Sequence, residues 1–107
     1  MKYQTFVRSV NLMKARLNNV KTFVETITHT EESPIDEVNR QKLSLIQAEI
    51  WLKKAEFEKQ LRKLLDVSTL PPDYDEESVI QKQDDIEYLC ISIESLIKAI
   101  LSKTGAL

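Results

Sequence analysis

Tyr3, Phe6, Val10, Met13, Leu17, Val20, Val24 and Ile27 follow one another at steps of 3, 4, 3, 4, 3, 4 and 3. Steps of three and four keep side chains on one face of an α-helix, whereas a strand repeats at every second residue. The seam therefore predicts a helix over roughly residues 2–29 that has to bury one side against other helices. The Thr28-His29-Thr30 run and the "EESP" after it are expected to end that helix.

Two further helices read from the same logic. Ser33 before Pro34 is a start signal, because serine caps free amides and proline is tolerated at the first helical position. Asp36 and Glu37 then suit the positive end of the helix dipole. The second helix is predicted over about 34–66, up to "DVSTLPPDYDEES", where Pro71-Pro72 cannot sit inside a helix. The third, about 74–103, opens on an acidic turn and carries Val79, Gln83, Ile86, Cys90, Ile93, Ile97 and Ile100 at steps of 4, 3, 4, 3, 4 and 3. Gly105 is expected to stop it. With one Gly and three Pro in 107 residues, the chain has few turn-makers, as a few long helices require. The expected fold is all-α: one domain over 1–107, three long helices in an up-down-up antiparallel bundle.

Charge supports that arrangement. Residues 1–28 carry Lys2, Arg8, Lys14, Arg16 and Lys21 against Glu25, whereas residues 73–103 hold eight acids against three lysines. The up-down-up order makes the first and third helices parallel neighbours, which suits their opposite signs.

The middle helix has more apolar surface than a bundle needs. Ile35, Leu43, Ile46, Ile50, Phe57, Leu61 and Leu64 fall within an arc of roughly 80° and form its core face. Leu45, Ala48, Leu52 and Ala55 make a second stripe at steps of 3, 4 and 3 on nearly the opposite side, with Trp51 on its flank. Either the helix is wedged deep between its neighbours, or Leu45, Ala48, Trp51, Leu52 and Ala55 dock on another chain. Tryptophan is enriched at interface hot spots, and small residues beside large ones permit close helix approach. Ile80, Tyr88 and Ile91 offer a weaker counterpart on the third helix. A homo-oligomer or a partner protein's helix is the expected occupant.

Catalytic constellations fare badly. His29 is the sole histidine, at a helix end, and neither a Glu-x-x-His pair nor a Cys/His cluster occurs, so neither metal nor cofactor is expected. Cys90 sits on the seam, where a cysteine is a small apolar filler. Asp84, Asp85 and Glu87 read as a solvated acidic face, and one glycine cannot make a phosphate loop. The chain is not expected to be an enzyme. A single cysteine points to a reducing compartment, cytoplasmic or nuclear, and the start lacks the apolar stretch of a signal peptide. No membrane partner is expected, since the seam is claimed by the bundle. The basic face of the first helix, with Arg8, Lys14, Arg16 and Lys21, is the one feature suited to phosphates. Against it stand a net charge of −2 and basic groups without interleaved aromatics, so a solvated face is the preferred reading.

Three helices at this length look like a spectrin-type repeat, whose hallmark tryptophan lies in the first helix; here Trp51 is in the second. A closer resemblance rests on Met13-Lys14-Ala15-Arg16-Leu17-Asn18-Asn19-Val20-Lys21-Thr22-Phe23, on Leu43 through Trp51 with Phe57, and on Asp84-Asp85-Ile86-Glu87-Tyr88-Leu89. These segments resemble the N-terminal helical domain of Gag-like polyproteins of Pao/BEL-type LTR retrotransposons. The resemblance implies a non-enzymatic structural domain that self-associates during particle assembly, or a host domain derived from one. The residues themselves point to a helical self-association or scaffold module. The alternatives are an adaptor presenting the second helix or the acidic third helix to a different protein, and a nucleic-acid binder using the first.

Overall fold

The structure, a computed structural model, describes residues 2–27, 35–66 and 70–103. These form three α-helices, α1 Tyr3–Thr26, α2 Glu37–Leu65 and α3 Glu76–Lys103, packed on one apolar core. No strand occurs among the described residues. The backbone extends over 59 × 17 × 16 Å, a rod with the helices along its length.

Side-chain contacts fix the direction of each helix. Ser9 donates to Gln60 at 2.7 Å and Arg16 to Glu49 at 3.0 Å, so α2 runs down as α1 runs up. Gln4 donates to Asp73 at 3.2 Å and Lys14 to Asp85 at 2.8 Å, so α1 and α3 run parallel. The expected up-down-up bundle is what the chain adopts. α1 makes its more extensive packing with α3, the helix of opposite charge.

The boundaries shift inward from the sequence reading. α1 ends at Thr26, and Ile27 is already extended, ahead of the expected end near 29. Thr22 and Thr26 donate their hydroxyls back to the carbonyls of Asn18 and Phe23, a competition with the backbone ladder that loosens a last turn. Residues 28–34 lie outside the described residues, and with them His29 and the expected Ser33-Pro34 start. The cap of α2 is Asp36, whose carboxylate accepts from the Asn39 amide at 2.7 Å, and the first helical residue is Glu37. Ile35 is buried just ahead of the cap and fixes how the chain enters the helix. Asp75 plays the same capping part for α3, accepting from the Ser78 amide at 3.3 Å. The Tyr74 amide returns to the Pro71 carbonyl at 3.0 Å, a turn with Pro72 where a fixed φ is favoured. It sets the Tyr74 ring edge-on to Tyr3 at 5.9 Å and closes that end of the bundle.

The core follows the three seams with two corrections. Tyr3, Phe6, Val10, Met13, Leu17 and Val24 are buried on α1, and Leu43, Ile50, Phe57 and Leu64 on α2. On α3, Gln83 stands exposed although it keeps the spacing, while Leu89 and Leu101 are buried outside it. α3 is flanked by both other helices, so its apolar arc is wider than one heptad line, and an amide at the arc's edge stays in water. No polar or charged residue among those described is fully buried.

Candidate interaction surface

Ile50 lies at the centre of the inward arc of α2 and is wholly buried, whereas Leu52, two residues and about 200° further round, faces solvent. Leu45 and Leu52 are each 70% exposed and Trp51 is 69% exposed. Ala48 and Ala55 are exposed on the same side. All five residues of the second stripe therefore lie on the outer surface of α2, uncovered by α1 or α3. Such a run of large apolar side chains in water is unfavourable unless something else covers it.

The flanks of the stripe differ. Towards α3, the Lys54 ammonium sits 5.8 Å from the centre of the Trp51 ring and holds the indole against the helix surface. Towards α1, an open groove is lined by Leu12, Arg16, Lys53 and Glu56. Leu12 is itself 73% exposed. Leu12 and the exposed Val38 extend the apolar surface beyond what the sequence reading singled out. Leu12 has no periodic partner to signal it, whereas Val38 stands seven residues before Leu45 and so lies on the same line of α2. Ile80, Tyr88 and Ile91 are exposed on α3, as a counterpart surface would require. Tyr88 is partly occupied, with the Lys21 ammonium 5.7 Å from its ring centre.

The basic groups of α1 are distributed rather than gathered. Lys14 pairs with Asp85, Arg16 pairs with Glu49, and Lys21 lies over Tyr88. Arg8 is exposed and makes no hydrogen bond or ion pair among the described residues. Three of the four candidate phosphate contacts thus serve to join α1 to its neighbours.

Few groups carry perturbed chemistry. Lys14, and next Gln81, donate to the Asp85 carboxylate and hold its pKa below the ordinary value. Burial pushes the Cys90 thiol up, disfavouring the reactive thiolate. Among the described residues no group of three or more His, Cys, Asp or Glu side chains is placed to hold a metal ion. No helix among them is long and apolar enough to cross a membrane.

Fold and surface together define a three-helix bundle with one uncovered apolar face on its central helix. Comparison with known protein families, with curated proteins and with solved structures finds no match to this chain.

Proposed function

We propose that the chain is a non-enzymatic self-association module, which docks the outer stripe of α2 on a second copy of itself. The exposure of Leu45 and Leu52 in a single line, with Trp51 on its flank, on an otherwise well-packed helix carries this reading. Leucine and tryptophan supply apolar area, and the alanines between them let another helix approach closely. The resemblance to Gag-like N-terminal domains supports a structural role in particle assembly for such a contact. The internal pairing of Lys14 and Arg16 favours association over phosphate binding as the work of this surface.

Mass in solution across a concentration series tests the proposal, with Leu52→Glu as the disabling variant. Wild-type protein is expected to pass from monomer to dimer as concentration rises, and L52E to stay monomeric with unchanged helix content. Wild-type protein that stays monomeric throughout overturns the proposal and leaves the adaptor reading, in which a different protein covers the stripe.

A further inference from the structure

The outer stripe of α2 is longer than its apolar part. Gln41, Leu45, Ala48, Leu52, Ala55, Lys59 and Arg62 continue it at steps of 4, 3, 4, 3, 4 and 3, and all seven are exposed. Exposed Lys59 and Arg62 extend it at its C-terminal end, and exposed Lys42 and Glu56 stand beside it on the flank that carries Glu49. Neither Lys59 nor Arg62 makes an ion pair among the described residues.

From this pattern, and resting on the self-association proposed above, we infer that two copies pair their α2 helices antiparallel, about a two-fold axis level with Ile50. Each apolar position at the centre of the stripe then meets one of complementary size. Leu45 faces Ala55 of the second copy and Ala48 faces its Leu52, so each apolar layer holds one large and one small side chain. On the flank that carries Glu49, Lys42 stands level with Glu56 of the second copy, both exposed, and on the seam the Gln41 amide lies beside its Lys59. In an antiparallel helix pair the two core positions of the heptad face each other across the seam, which is the relation these residues have.

The parallel alternative fails on both counts. It stacks Leu45 on Leu45 and Ala48 on Ala48, alternating wide and narrow layers that two straight helices at one spacing cannot both fill. It also sets Lys59 and Arg62 against their own copies. Glu49 is the one like-charge neighbour near the antiparallel axis, and Arg16 already partners it at 3.0 Å. Trp51 flanks the same axis on the other side, where its indole lies beside the second copy. The occupant of the stripe is thus a second copy, selected by the alternation of large and small side chains along it.

Two site-specific cysteine variants, Gln41→Cys and Lys59→Cys, decide the orientation, because the native Cys90 is fully buried. With a short bis-maleimide, the mixture of Q41C and K59C is expected to cross-link and neither variant alone. Two copies of residue 41 lie roughly 27 Å apart in the antiparallel pair, at 1.5 Å per residue. In addition, Glu56→Lys should raise the dimer dissociation constant about threefold to tenfold, the size of exposed ion pairs, and adding Lys42→Glu should restore it. A dimer by mass in which each cysteine variant cross-links with itself, or in which E56K changes nothing, overturns the antiparallel pairing and leaves self-association standing. A wild-type monomer at every concentration overturns both.

Discussion

The two faces of α2 share a helix and a spacing, yet one is dry and the other wet. On the inner face Leu43, Ile50, Phe57 and Leu64 recur at every seventh residue with large side chains throughout, and all are buried. On the outer face leucine alternates with alanine, and both stay in solvent. Periodicity therefore identifies the helix, while the volume sequence along each face separates the seam that fills a core from the one suited to a second helix at close range.

Matched substitutions break that comparison most directly. Ile50→Ala removes atoms from a fully packed site and is expected to lower unfolding free energy by about 2–5 kcal/mol in urea denaturation. That is a large share of the roughly 5–15 kcal/mol of a typical domain. Asp36→Ala, which strips the cap from α2 without touching either face, is expected to cost about 1 kcal/mol in the same measurement. Leu52→Glu, measured dilute enough to be monomeric, should move stability by no more than about 0.5 kcal/mol while abolishing association. A loss comparable to that of I50A would show that the outer face supports the fold after all.

The smallest effect concerns Asp85. Its pKa is lower in the folded chain than the ordinary 3.8, chiefly because Lys14 donates to it. Its contribution is therefore complete above the unfolded pKa and is lost as pH falls through the folded one. Denaturation midpoints of wild type and Asp85→Asn should differ most near neutrality and converge in acid. A gap that stays constant down to pH 2 would show that the Lys14 pair does not set the difference.

The sequence was most legible where pattern and packing coincide. The α1 seam lies within the core cluster from Tyr3 to Ile27, with Val20 and Ile27 only partly covered. The outer stripe of α2 was legible because it repeats the helical period on the far side. Gln83 kept the period of α3 but not its burial, since spacing records direction and not the desolvation cost of an amide. The basic residues of α1 show a further limit. Whether Lys14 faces solvent or an acid depends on the register between α1 and α3, and no local pattern encodes that register. Leu12 was missed because exposure of one isolated leucine is decided wholly by its neighbours' positions.

The pairing of α1 with α3 also bears on how the chain is made. Lys14 and Asp85 are separated by 71 positions, so this contact is among the most distant in sequence that the fold contains. During synthesis the first two helices emerge with their buried faces lacking a third wall, and only the arrival of the last helix completes the enclosure. A ribosome still holding α3 in its exit tunnel would therefore present a sticky hairpin, whose open inner faces the finished bundle closes.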